Sequence, residues 1–133
     1  MKTHILLIDD DKDELNIFMD ALREVPSEDG FKCTYAGSAE QATEMLKYLV
    51  PEYIFSDFNL PGISGLELLN LLAKDQRMKA THLCLYSLHI NEQMQTTATL
   101  LGIRCMKKAD NQKVLVENLS DFLATRQPQY INR

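Results

Sequence analysis

Short apolar runs that end in polar groups, alternating with stretches of helical periodicity, constrain this chain more than any other feature of its sequence. Ile5 to Ile8 is a continuous apolar run of strand length, and behind an acidic cluster Leu15, Phe18, Met19 and Leu22 recur at helical spacing. Val25 to Gly30 contains Pro26, Ser27, Asp29 and Gly30, which make turns. A second strand is expected around Lys32 to Ala36. Ser38 to Gln41 then reads as a capping box for a helix that carries Ala39, Ala42, Leu46 and Leu49 and ends before Pro51. Tyr53, Ile54 and Phe55 predict a third strand that stops at Ser56 and Asp57. NLPGISG follows as a loop, and a leucine-rich helix begins near Gly65 with Leu66, Leu68, Leu69, Leu71 and Leu72. Leu83 to Tyr86 predict a fourth strand ending at Ser87, and a polar helix runs from about Asn91 to Leu101 before Gly102 breaks it. Ile103 to Met106 is a fifth short strand, and Val114, Leu115, Leu119, Phe122 and Leu123 mark a last helix reaching about Arg126.

Five strands alternating with five helices predict an α/β chain of right-handed βαβ units: a doubly wound, three-layer (βα)5 fold with a five-stranded parallel sheet covered on both faces. Strands buried on both faces need near-continuous apolar runs, and these have them. A length of 133 residues fits one domain, expected over residues 1–126, with 127–133 a short tail too small for an output domain. With 45% hydrophobic and 25% charged residues the composition is that of a soluble globular protein. No apolar run approaches the roughly 20 residues that cross a membrane, and the amino-terminal run is too brief for a signal peptide, so a cytoplasmic location is expected. Net charge is -5 with no basic stripe, which argues against direct nucleic-acid binding. Cys33, Cys84 and Cys105 lack CxxC spacing and read as small buried apolar residues, not as a disulfide or zinc framework. His4, His82 and His89 share no ligand spacing and are expected at edges or on the surface, while Met19, Met45, Met94 and Met106 fit core positions.

Ligands of open parallel sheets bind at the carboxyl ends of the strands. There the sequence places Asp9, Asp10 and Asp11 after the first strand, Asp57 after the third, Ser87 after the fourth and Lys107-Lys108 after the fifth. Carboxylates at the end of a buried strand are costly unless something positive sits beside them. Grouped carboxylates repel, and each has its pKa raised unless a hard cation holds them. Mg²⁺ suits such a set, because it takes oxygen ligands and is bound through one or two carboxylates plus a phosphate. A hydroxyl and an ammonium beside it complete a pocket for a phosphoryl group, so the chemistry indicated is phosphoryl transfer. Asp11, Asp13 and Glu14 are read instead as complements of a helix dipole, worth a few tenths to about 1 kcal/mol each.

The segments ILLIDDD, SDFNLPGISG and LYS and the later lysine pair resemble the receiver domain of two-component response regulators, the fold of the chemotaxis response regulator, over roughly residues 3 to 125. The most specific match is the pattern formed by Asp57, Leu60, Pro61 and Gly65. The resemblance implies the flavodoxin-like strand order 2-1-3-4-5 and a role in phosphorelay signal transduction. It further implies that Asp57 is the phosphorylated residue, that Asp9, Asp10, Asp57 and the Asn59 backbone carbonyl hold Mg²⁺, with Asp9 acting through water, and that Ser87 and Lys108 complete the catalytic set. Ser87 would move to the new phosphate and shift the packing of the face formed by the fourth helix and fifth strand. The implied partners are a sensor histidine kinase or histidine phosphotransfer protein and a downstream protein target, with no nucleic acid or membrane and a monomer or weak dimer. Such a domain is not an enzyme in the sense of turnover; it helps catalyse its own phosphorylation and dephosphorylation.

Three departures from the family pattern bear on function. Leu88 stands where a small residue is usual and should narrow the approach to Asp57, slowing small phosphodonors and hydrolytic water. The segment from Gly102 to Lys108 is one residue shorter than usual, which makes Lys107 a competitor for the lysine role, and Ala109 replaces the usual proline. The aromatic switch position of the fifth strand falls near Cys105, so an aromatic rotamer switch cannot operate there. Two alternatives stand beside the receiver reading. A haloacid-dehalogenase-like phosphatase would use Asp9 and Asp11 with Ser87 and Lys108, although it leaves Asp57 without a purpose. A receiver-like module independent of phosphorylation is the other.

Overall fold

The computed structural model describes residues 1–124. The expected end of the last helix at Arg126 and the boundary with the tail lie outside the described residues. The elements in chain order are β1 (Thr3–Ile8), α1 (Lys12–Arg23), β2 (Phe31–Ala36), α2 (Ala39–Met45), β3 (Tyr53–Ser56) and α3 (Gly65–Ala73). A single 3₁₀ turn (Gln76–Met78) then leads to β4 (His82–Ser87), α4 (Glu92–Leu100), β5 (Arg104–Lys107) and α5 (Gln112–Ala124). The strands form one parallel sheet in the order β2-β1-β3-β4-β5.

Because successive strand residues point to opposite faces, each apolar run supplies two cores at once. Leu6, Ile8, Ile54, Leu83 and Leu85 face the side covered by α2, α3 and α4. Ile5, Leu7, Tyr53, Phe55, Cys84 and Tyr86 face α1 and α5, where Phe18, Leu115, Leu119 and Phe122 meet them. Phe18 packs edge-on against Phe55 with ring centroids 5.1 Å apart, and Phe122 lies at the same distance from Phe55. β1 sits between β2 and β3, so the chain leaves it in one direction for β2 and returns on its other side. Ile8 pairs in register with both Ala36 and Ser56. The residues just beyond, Asp9 and Asp57, therefore emerge side by side at the point where strand order reverses.

Side chains that take up the open amide groups mark the helix starts. Asp11 accepts from the Asp13 amide at 3.0 Å, Ser64 from Glu67 at 3.1 Å and Asn91 from Met94 at 2.8 Å. Ser38 accepts from Gln41 at 3.1 Å as the capping box requires, but the Gln41 side chain reaches one residue further back, to the Gly37 amide at 2.7 Å. Four sequence expectations are corrected. α2 ends at Met45, with Leu46 to Tyr48 forming a turn. The Arg77 guanidinium takes the Leu46 carbonyl at 2.6 Å, fixing that chain reversal from outside the helix. Ile103 is not a strand residue but closes the turn that follows α4, its amide bonded to the Ala98 carbonyl at 2.8 Å, so β5 begins at Arg104. His82 is not a surface residue but opens β4, buried and stacked on the Tyr53 ring at 4.9 Å. Of the cysteines Cys84 is buried, while Cys33 and Cys105 are only half-buried.

Gly65 decides how close α3 can come to the strand ends. A Cβ at this position would lie 1.8 Å from the Asp57 carbonyl oxygen and 2.9 Å from the Ser56 Oγ. With hydrogen there instead, the Gly65 amide bonds the Phe58 carbonyl at 2.7 Å and clamps the loop behind Asp57. Gly65→Ala forces backbone apart, and its expected cost is about 3 kcal/mol of folding stability, measured by denaturant unfolding. A loss below about 1 kcal/mol would mean that the close approach does not hold the loop.

Candidate functional site

Asp9, Asp57 and Lys108 are each placed one residue past the end of a strand, and Ser87 is the last residue of β4. The Asp9 amide donates to the Ala36 carbonyl at 3.0 Å and the Asp57 amide to the Ile8 carbonyl at 2.9 Å. The Lys108 amide donates to the Ser87 carbonyl at 2.9 Å, carrying the pairing of β4 with β5 one step further. Asp9, Asp57 and Ser87 are all buried, and Asp10 is exposed at the opening.

The hydrogen bonds are divided unequally over the Asp57 carboxylate. Its Oδ1 accepts from the Phe58 amide at 2.8 Å and from the Ser87 hydroxyl at 2.9 Å. Its Oδ2 faces the Lys108 Nζ at 3.6 Å, an ion-pair distance longer than a hydrogen bond. Lys108 instead donates to Asp9 Oδ2 at 2.8 Å and lies 3.8 Å from Glu14 Oε1. The ammonium is 5.5 Å from the centre of the Tyr86 ring, which supplies a cation–π contact from the core side. Asp9 is held further by the Asp11 amide at 3.0 Å, and its carbonyl accepts the Tyr35 hydroxyl.

The electrostatics follow from burial. Burial raises the Asp9 pKa, and the hydrogen bond from Lys108 offsets only part of that. Burial alone would lower the Lys108 pKa, but its hydrogen bond and ion pair with Asp9, aided by Asp57 and Glu14, outweigh it and leave the ammonium more firmly protonated than usual. Asp9, Asp10 and Asp57 each offer a carboxylate oxygen, and these atoms all lie within 4.8 Å of one another. An all-oxygen set of that size suits a hard divalent cation, which would relieve the repulsion one lysine cannot neutralise.

The structure thus brings together Asp9, Asp10, Asp57, Ser87 and Lys108, and it separates the two lysines. Lys108 points into the carboxylates, whereas Lys107 is exposed at the end of β5. Asn59 is exposed in the loop after Asp57. Leu88 is 49% exposed and stands with His89, Lys108, Ala109 and Val114 around an open concavity of about 470 Å³. Cys105 is half-buried against the α2–α3–α4 side of the sheet. The Ser87 hydroxyl is turned inward onto Asp57. Sequence reasoning missed Glu14, which it assigned to the helix dipole. The missed signal was topological: the first turn of α1 lies directly over the end of β1. It also missed Tyr35 and Tyr86, whose polar contacts depend on which strands are neighbours.

The sequence profile of the response regulator receiver domain family matches residues 5–125. No curated protein matches the chain. Among solved structures, the chain is similar to the phosphorylated cyanobacterial phytochrome response regulator RcpA, with 22% identity, a TM-score of 0.80 and coverage of 92% of this chain and 91% of that one. It is similar to the chemotaxis response regulator CheY4 of Vibrio cholerae at 17% identity, with a TM-score of 0.77 and coverage of 91% and 98%. A CheY-like receiver domain protein of Methanospirillum hungatei JF-1 gives 18% identity, a TM-score of 0.78 and coverage of 97% and 99%. The strand order, the acids at its reversal point and the profile match agree: the chain belongs to the response regulator receiver domain family, whose members serve phosphorelay signalling, bind a divalent metal at an acidic pocket and interact with histidine kinases or phosphotransfer proteins.

Proposed function

We propose that Asp57 accepts a phosphoryl group from a histidine kinase or histidine phosphotransfer protein, and that the divalent ion is Mg²⁺, held by Asp9, Asp10, Asp57 and the Asn59 backbone carbonyl. The observation that carries this reading is the unequal use of the Asp57 carboxylate: Oδ1 is fixed by two donors while Oδ2 faces an ammonium beyond hydrogen-bond reach. Fixing one oxygen orients the other as a nucleophile. The Asp57 O–P bond forms as the N–P bond of the phosphohistidine breaks, and the electron pair returns to the imidazole. When bound, Mg²⁺ neutralises charge on the transferring group. Lys108 adds a fixed positive charge at the same place, and Ser87, already within reach, turns its hydroxyl from Asp57 to a phosphoryl oxygen. That short rotation is the input to the α4 face, since Cys105 offers no aromatic ring to move with it.

The product stays attached to the protein, so each chain carries one label at Asp57 and the domain is not an enzyme with turnover. The phosphatase alternative is not favoured: Asp57, idle in that scheme, is where Ser87 and Lys108 converge. The domain over residues 1–126, a cytoplasmic setting, a downstream protein target and a monomer or weak dimer complete the proposal. Among the described residues no helix is long and apolar enough to cross a membrane.

Incubation with a small phosphodonor and Mg²⁺ should give one acid-labile phosphate per chain, lost in Asp57→Asn, with no continued cleavage of a phosphate ester. A label that survives in Asp57→Asn, or steady turnover, would contradict the proposal. Lys108→Ala should slow labelling by about 100-fold, the usual cost of one charge-stabilising donor, while Lys107→Ala leaves it nearly unchanged. The reverse ranking would transfer the role to Lys107. Leu88→Ala should shorten the phosphoaspartate lifetime by opening the approach to water, and equal lifetimes would remove Leu88 from the account.

A further inference from the structure

Glu14 belongs to no part of the scheme above, yet it is placed where it must act on it. Its carboxylate lies 3.8 Å from the Lys108 Nζ, and its side chain is only 20% exposed against 11% for Lys108, so water screens the pair poorly. The acids that converge on a cation are Asp9, Asp10 and Asp57, and Glu14 is not among them. It approaches from the α1 side, on the first turn of the helix, and shares the ammonium with Asp9 and Asp57. With every group ionised, one lysine faces three carboxylates.

Resting on the phosphoacceptor reading of Asp57, we propose that Glu14 is a positioning residue that competes with the phosphoryl group for Lys108 and thereby sets how tightly the site holds an anion. A phosphoryl group brings roughly two negative charges to Asp57 and requires Lys108 to turn toward it. Glu14 draws the same ammonium toward α1 and repels the arriving anion. Its charge acts oppositely on the cation, which it helps to attract. Removing that charge therefore moves two affinities in opposite directions. A merely structural role would weaken both.

The test is the titration of the full chain with Mg²⁺ alone, then with beryllofluoride at saturating Mg²⁺, followed by backbone amide chemical shifts of wild type, Glu14→Gln and Glu14→Asp. In Glu14→Gln beryllofluoride should bind about threefold to tenfold more tightly and Mg²⁺ about twofold more weakly. Glu14→Asp keeps the charge and should stay within about twofold of wild type in both. Equal affinities in Glu14→Gln and wild type, or a parallel loss of both ligands, would overturn the proposal. Failure of Mg²⁺-saturated wild type to take up beryllofluoride is a separate result, which would overturn the phosphoacceptor reading and this proposal with it.

Discussion

The ion pair between Lys108 and Asp9, 2.8 Å long and almost wholly withdrawn from water, is the constraint around which the rest of the molecule is arranged. Its partners are 99 residues apart, at the ends of strands separated in the sheet by β3 and β4. A pair so buried returns little net stability, because desolvating both charges consumes most of the attraction. What it contributes is placement. Asp57 emerges from the strand adjacent to β1 and lies within ion-pair distance of the same ammonium, so the lysine reads the charge on two carboxylates at once. Losing Lys108 would leave the buried Asp9 carboxylate without a counter-charge, whereas losing Asp9 would leave the ammonium to Asp57 and Glu14.

The fold serves this corner in three ways. Parallel pairing sends every strand end to the same edge, and the reversal of direction at β1 opens a crevice there without any specialised loop. The two cores, one on each face, hold β1 and β3 rigidly in register, so Asp9 and Asp57 inherit their separation from Ile8 and Ser56. Gly65 then lets α3 lie against the Asp57 backbone, joining the helix layer to the site through a contact with no room for a methyl group. Chemistry and packing share atoms here.

Much of this was legible in the sequence because it depends on local pattern. Continuous apolar runs identified the strands, and Asp9, Asp57, Ser87 and Lys108 stood out as polar residues at the ends of such runs. The parallel sheet followed from the alternation of elements. What escaped was whatever depends on neighbours in space. Glu14 has the sequence context of an ordinary acid in a first helical turn, and only the placement of α1 above β1 reveals that it touches Lys108. His82 looked like a boundary residue until Tyr53, its register partner on β3, was seen to stack on it. The early end of α2 reflects an arginine 31 positions away from the carbonyl it binds. The choice between Lys107 and Lys108 turned on a single step of strand alternation, which the shortened segment before them obscured.

The central claim is that remote acids meet around a divalent ion while one of them takes up phosphorus, and a crystal structure of the chain grown with Mg²⁺ and beryllofluoride tests it most directly. The predicted result is beryllium attached to Asp57, a cation among Asp9, Asp10 and Asp57, and the Lys108 ammonium drawn from Asp9 toward a fluorine. Beryllofluoride on another residue, or an unaltered Lys108–Asp9 pair with nothing bound to Asp57, would contradict it.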